Sequence, residues 1–266
     1  EIMIPTLSIV FMAISALVSI GLPVALGVIW HKRTGAKASS LFIGAAAFVV
    51  FAMILENICH RLVLYGSGSC AAFMQSNLWA YGLYGALAAG VFEETGRLCA
   101  FKLLFKNKND RRESVMYGIG HGGVEAVLVS GLTMISYIAI SIIINASGGM
   151  AGITVLGIGE DTAAVLMDAF TGAEPGMYLV SGIERAMAIA THISMSVLVF
   201  AAVKQKGKGW YYPLAIGLHA LIDLGAMAYQ TGFIKSIIAT ECYVLVCAAL
   251  CALLAVKAYR GMAADL

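Results

Sequence analysis

The sequence predicts an all-α protein, a polytopic transmembrane helix bundle of about seven spans. Three observations predict it. The chain has 266 residues, 61% hydrophobic and 12% charged, whereas a soluble domain carries about 25% charged residues. Apolar runs of more than twenty residues recur along its whole length, and a run of about twenty crosses a bilayer as a helix. The basic residues, finally, gather in alternate gaps between those runs. The net charge of +2 gives no reason to expect a nucleic-acid partner.

The runs place spans at Thr6–Trp30, Ser40–Leu64, Asn77–Phe105, Ser114–Ile144, Gly176–Val203, Tyr211–Gly232 and Phe233–Tyr259. The first contains Pro23 and is longer than a signal-peptide core, so it is read as a span and not as a cleavable leader. No gap between spans holds a soluble domain, and no internal repeat is evident. The expectation is a single transmembrane domain over 1–266, with its catalytic core in spans three to six, about 77–232.

Orientation follows from lysine and arginine. Lys32, Arg33 and Lys37 follow span one; Lys102, Lys106, Lys108, Arg111 and Arg112 surround the gap after span three; Lys204, Lys206 and Lys208 follow span five; Lys257 and Arg260 end span seven. Only Arg61 and Lys235 fall in the opposite gaps. The positive-inside rule then puts the N-terminus outside and the C-terminus in the cytoplasm, in a cytoplasmic membrane. The longest gap, Asn145–Pro175, is external in this scheme; it has no Lys or Arg, and its stretch "EDTAAVLMDAF" reads as a short interfacial helix. None of the six cysteines forms a C-x-x-C pair, so a thiolate zinc site is not expected. Cys59 and Cys70 flank one short loop and are candidates for a disulfide.

Against this apolar background, charged side chains inside spans need a reason, because each costs roughly 2.5–3.5 kcal/mol near a helix centre. Span three carries Glu93, Glu94 and Arg97; span four His121 and Glu125; span five Glu184, Arg185 and His192; span six His219 and Asp223. Glu93 lies nine residues before Lys102, His121 nine after Arg112, His192 twelve before Lys204, and His219 nine after Trp210. At 1.5 Å per residue these depths are about 14–18 Å, near the middle of a hydrocarbon core about 30 Å thick. Unrelated packing residues have no reason to share a level. His121 and Glu125 share a helix face, as do His219 and Asp223, and Glu93 and Arg97. Ser196, four residues after His192, points the same way. Gly82, Ala86 and Gly90, and likewise Gly118 and Gly122, form stripes that let membrane helices approach closely. Glu56, Asn57, His60 and Arg61 are read as a wet terminus of span two, with the lining of an access path as the alternative.

Three imidazoles and a carboxylate suit Zn²⁺, with His121, His192, His219 and Glu125 as candidate ligands. A further carboxylate can then serve as general base, which is the chemistry of metal-assisted hydrolysis. A metal-free glutamate–histidine mechanism uses the same residues. Two readings of another kind stay open: a membrane scaffold or binding protein that keeps a polar core for assembly, and a proton- or metal-coupled transporter, since buried Glu and His also serve as relays.

At these residues the chain resembles a known family. "EETGR", "GHGGVE", "ER…H" and "HALID" resemble the YhfC family of membrane peptidases, which is grouped with PrsW-type proteases and the CAAX prenyl endopeptidase (CPBP/Abi) superfamily. The usual first motif is E-E-x-x-x-R, and here Arg97 stands one position early. The second is F-x-x-x-H, and here Tyr117 precedes His121. The last is H-x-x-x-N or H-x-x-x-D, matched by His219 and Asp223. The resemblance implies an intramembrane endopeptidase acting on a membrane protein or peptide. It implies that Glu93 or Glu94 activates water, that His121 and His219 belong to the site, and that His192 supplies a third histidine. The same superfamily includes a non-catalytic scaffold subunit of gamma-secretase. Oligomeric state is not implied.

Overall fold

Backbone polar groups in hydrocarbon must be satisfied within the chain, by helices or by a closed barrel. Apolar runs of this length select helices. The computed structural model describes residues 3–107, 109–149 and 157–262, and among them the chain is helical, with no strand. Lys108 and the central part of the long gap, 150–156, lie outside the described residues. Among the described residues nine helices succeed one another: α1 Thr6–Thr34, α2 Ala38–Val63, α3 Ser69–Ser76, α4 Leu78–Leu103, α5 Arg112–Ala146, α6 Glu160–Gly172, α7 Pro175–Lys204, α8 Tyr211–Gln230 and α9 Ile237–Gly261. Two helices contain wider π-helical turns, Val49–Glu56 in α2 and Val127–Gly131 in α5.

Six helices, α1, α2, α5, α7, α8 and α9, are long and apolar enough to cross a membrane. Helix α4 has 26 residues, a comparable length, but carries Glu93, Glu94, Arg97 and Lys102. Many large apolar side chains point outward; Leu17 is 72% exposed and Phe42 and Leu253 are each 69% exposed. A soluble monomer does not present apolar surface on this scale. Against lipid tails it costs nothing. The stretch "EDTAAVLMDAF" is helical, as expected, and Ala163, Met167 and Phe170 on one face of α6 are buried. The short helix α3 adds an element that hydropathy does not predict. All six cysteines are free, Cys59 and Cys70 included.

The chain divides into two compact units. The first comprises Glu1–Val24 and Glu125–Ala186. Its apolar core includes Met12, Ile144, Met167, Phe170 and Tyr178. Hydroxyls join its helices: Ser15 Oγ donates to the Tyr178 carbonyl at 2.5 Å, Ser19 Oγ to Ser130 Oγ at 3.1 Å, and Ser130 and Ser181 are 3.0 Å apart. In hydrocarbon such hydrogen bonds hold helices together where apolar contact alone gives little preference. Asn145 brackets Ile4, accepting from its amide at 2.8 Å and donating to its carbonyl at 3.0 Å.

The second unit comprises Ala25–Val124 and Met187–Leu266. Here α4 packs along α8, α9 against α8, and α2 against α4. An aromatic cluster of Phe101, Phe105, Tyr117 and Phe200 fills one end. Buried Glu113 caps α2 from outside, accepting from the Lys37 amide at 3.1 Å and from Ser40 Oγ at 2.5 Å. Asn77 caps α4 by accepting from the Ala80 amide at 3.1 Å, as its side chain favours. Two close approaches decide which helix faces meet. A Cβ on Gly90 would stand 2.8 Å from the Ile216 carbonyl oxygen, and one on Gly122 would stand 2.8 Å from the His192 Cβ and 3.1 Å from the Ile189 Cα. Glycine at these positions lets α8 lie on α4, and α7 on α5.

Candidate active site

The two glycine contacts join α4 to α8 and α5 to α7 at the level where these helices carry their charged residues. Glu93, Glu94 and Arg97 enter from α4, His121 from α5, His192 from α7 and His219 from α8. All six are buried; Glu94, Arg97 and His121 are fully so, and Glu93 retains 6% exposure.

Glu93 is the meeting point. Its Oε2 accepts from His121 Nε2 at 2.8 Å and lies 3.6 Å from His192 Nδ1. Its Oε1 lies 3.9 Å from His219 Nε2, beyond direct hydrogen-bond reach. Glu94 turns the other way. Its Oε1 accepts from Arg97 Nη1 at 2.7 Å and from His219 Nδ1 at 2.7 Å. Arg97 also reaches Ser196 Oγ at 3.2 Å through Nε and His192 Nδ1 at 2.6 Å through Nη2, and stands 3.7 Å from Glu93 Oε2. Ser196 Oγ donates to the His192 carbonyl at 2.7 Å, so one hydroxyl ties the guanidinium to the histidine's own helix. Asp223 Oδ2 lies 3.5 Å from His219 Nε2.

Aromatic rings wall the cluster. Phe48 meets His121 edge-on at 5.3 Å, and Tyr117 tilts against it at 5.9 Å. The His121 and His192 rings are 5.2 Å apart and those of His192 and His219 5.6 Å. Three buried polar atoms here have no hydrogen-bond partner: His121 Nδ1, Glu94 Oε2 and the Tyr117 hydroxyl. Buried polar atoms are nearly always satisfied, so the exceptions mark this as a place built for something besides packing.

The donor set fits a divalent ion. One atom each of Glu93, His121 and His192 lie within 4.8 Å of one another. Two donors each about 2.0–2.1 Å from a tetrahedral zinc stand about 3.3 Å apart, and the Glu93–His121 and Glu93–His192 separations of 2.8 and 3.6 Å bracket that value. Two imidazoles and a carboxylate with one position left open are the donor chemistry of a hydrolytic zinc centre. One contact opposes it: the His192 Nδ1 that would face an ion is met by Arg97, so the two cations compete for that atom.

Not every expected residue joins the three donors. His219 is beside the three donors but bonded to Glu94. Glu125 accepts from Arg185 Nη1 at 2.7 Å, and Arg185 Nη2 donates to Glu184 at 2.7 Å. This is a half-buried ion-pair group of the first unit in which only Arg185 is buried, and Glu125 is not one of the clustered donors. Of the expected wet terminus, Asn57 and Arg61 are exposed, but Glu56 is 8% exposed, pairs with His60 Nε2 at 3.2 Å and lies within electrostatic reach of Glu93, His219 and Asp223, while His60 Nδ1 lies 3.1 Å from the Tyr84 hydroxyl. Phe48 escapes a reading of the sequence, because an aromatic in an apolar run carries no signal of its own.

A model of the YhfC intramembrane metalloprotease family matches residues 14–244. The uncharacterized membrane protein YhfC of Bacillus subtilis (strain 168) is 37% identical over 254 residues, covering 95% of this chain and 97% of that protein. No solved structure matches. The clustered glutamates and histidines, the apolar helices around them and a family match over most of the chain agree: this multi-pass membrane protein belongs to the YhfC intramembrane metalloprotease family.

Proposed function

We propose that the protein is an intramembrane endopeptidase that hydrolyses a peptide bond of a membrane-embedded or membrane-delivered substrate. The observation that carries this reading is a single carboxylate, Glu93, set between two histidines inside a bundle of apolar helices. In the proposed arrangement α4 joins the six other long helices as the third of seven spans, the N-terminus is outside, the C-terminus is cytoplasmic, and residues about 77–232 form the catalytic core in a cytoplasmic membrane.

Glu93, His121 and His192 would hold the metal, for which Zn²⁺ is the best chemical match. When bound, such an ion supplies Lewis acidity toward a carbonyl oxygen and makes water more acidic. The chain's own residues do the rest. The 3.9 Å gap between Glu93 Oε1 and His219 Nε2 has the span over which a water is the natural bridge. Glu93, which would hold the metal through the Oε2 that faces His121 and His192, takes a proton on Oε1 from that water as the water oxygen attacks the carbonyl carbon. It returns the proton to the amide nitrogen as the C–N bond breaks. Glu94, anchored by Arg97, holds His219 with Nδ1–H engaged, so that Nε2 stays directed at the gap. A base of this kind contributes about 10²–10⁴-fold in rate.

A second reading is favoured by one contact. Arg97 Nη2 at 2.6 Å from His192 Nδ1 already places a cation beside Glu93, and the same residues then act as a metal-free glutamate–histidine catalyst. Metal content of the purified protein, with proteolysis followed before and after chelation, separates the two. Bound metal whose removal abolishes cleavage supports the first. Full activity without metal supports the second. Cleavage at the wild-type rate by Glu93→Gln defeats both.

A further inference from the structure

A cavity of about 710 Å³ lies between α2 and α4. Helix α2 contributes Phe42, Ala46 and Phe51 to its wall, and α4 contributes Gly96, Cys99 and Leu103. The lining runs from Ser39 to Phe51 on one helix and from Gly96 to Leu104 on the other. That is roughly 18 Å and 12 Å of helix. Among the described residues no charged side chain lines it. It is long and apolar, and Ala46, Ala47, Gly96 and Ala100 leave room along it.

Its two ends differ. At one, the ring of Phe51 rests on Gly96, where a Cβ would come within 2.9 Å of the Phe51 Cγ. At the other, Ser39, Leu103 and Leu104 form the mouth, and the flanking positions are cationic. Exposed Lys37 directly precedes α2, exposed Lys102 lies in the last turn of α4, and exposed Lys106 follows it. A slot for hydrocarbon with positive charge at one end matches an amphiphile with one anionic head.

We propose that this slot binds an anionic phospholipid, one acyl chain lying between α2 and α4 and its phosphate resting at Lys37 and Lys102. The lipid then lines the helix that carries Glu93 and Arg97, touching Gly96 between them. Lipid binding here depends on neither hydrolysis nor metal.

The full chain, purified in detergent and delipidated, is mixed with vesicles of dioleoyl phosphatidylglycerol or dioleoyl phosphatidylcholine, and retained lipid is read by native mass spectrometry. One phosphatidylglycerol should be retained in preference to phosphatidylcholine. Lys37→Gln with Lys102→Gln should reduce that preference about tenfold or more. Ala46→Trp should abolish retention by filling the slot from an exposed position. Leu103→Trp, at a residue 73% exposed, does the same from the other helix and carries the test should the first variant fail to fold. Equal retention of both lipids by the wild type means ordinary boundary lipid and overturns the proposal. So does undiminished phosphatidylglycerol on a folded tryptophan variant.

Discussion

His219 Nδ1 and Glu94 Oε1 are 2.7 Å apart, and the same oxygen accepts from Arg97 Nη1 at 2.7 Å. One carboxylate oxygen thus holds a histidine from α8 and a fully buried guanidinium from its own helix. Removing that charge leaves Arg97 with Glu93 at 3.7 Å as its carboxylate neighbour. Breaking a buried pair from one side costs about 3–5 kcal/mol. Glu94→Gln is therefore expected to lower the unfolding temperature in detergent markedly, together with the yield of folded protein. A wild-type melting curve would show that the pair is dispensable.

Glu93 is expected to behave oppositely. Glu93→Gln keeps the side chain's shape and leaves the Glu94–Arg97 pair intact. Its unfolding temperature should fall less than that of Glu94→Gln, because Arg97 keeps its 2.7 Å carboxylate partner, while cleavage of a native membrane substrate falls about 10²–10⁴-fold. The contrast between adjacent residues is the measurement: stability and rate, side by side, for both glutamine variants. If both lose stability and activity alike, the division of labour proposed for them is wrong.

Metal content should sort the histidines. His121 and His192 contribute to the three-donor group with Glu93, whereas His219 is bonded to Glu94. Elemental analysis of purified variants should find metal lost from His121→Ala and His192→Ala and largely retained in His219→Ala, with activity lost from all three. A His219→Ala protein as empty as the other two would make His219 a ligand.

Charge placement gives a test of orientation. In a background with the native cysteines replaced by alanine, Glu174→Cys should react from outside intact cells with a membrane-impermeant maleimide. Lys206→Cys should react only after the cells are opened. Both sites are exposed, so an inverted pattern would be a reversed topology and not a buried thiol.

Much of this arrangement is legible in the sequence, for a physical reason. Helices rise by a constant amount per residue, so counting from a basic flank puts Glu93, His121, His192 and His219 at one depth, and the structure brings them together. Pairing is not legible in the same way. Spacing of four shows that His121 and Glu125 share a helix face, but not what packs there; Glu125 meets Arg185 and His121 meets Glu93. The i,i+3 spacing of Glu94 and Arg97 suggests their pairing, but the reach of Arg97 to His192 depends on how α7 lies against α4. Glu56 reads as wet because it stands near the end of a span. It lies at the close of a π-helical turn, which alters the residue-to-face register that a count of 3.6 assumes. Helix α3, eight residues with polar ends, is too short for a hydropathy run to reveal.

The close approach of α5 to α7 supplies the last test. His121 on one helix and His192 on the other can share Glu93 only while their backbones stay near, and Gly118 and Gly122 are where they nearly touch. A methyl group on Gly122 meets the His192 Cβ at 2.8 Å and the Ile189 Cα at 3.1 Å. The Ile189 atom is main chain and cannot swing aside, so the helices must part by a few tenths of an ångström. Overpacking of this kind typically costs about 1–3 kcal/mol. Gly122→Ala should lower the unfolding temperature, weaken metal retention and slow cleavage together, because one displacement causes all three. Gly217→Ala is the control: a Cβ there has nothing within 4 Å, and replacing glycine inside a helix should be neutral or stabilising by up to about 1 kcal/mol. Wild-type stability and metal content in Gly122→Ala would mean that the crossing of α5 and α7 does not set the distance between the two histidines.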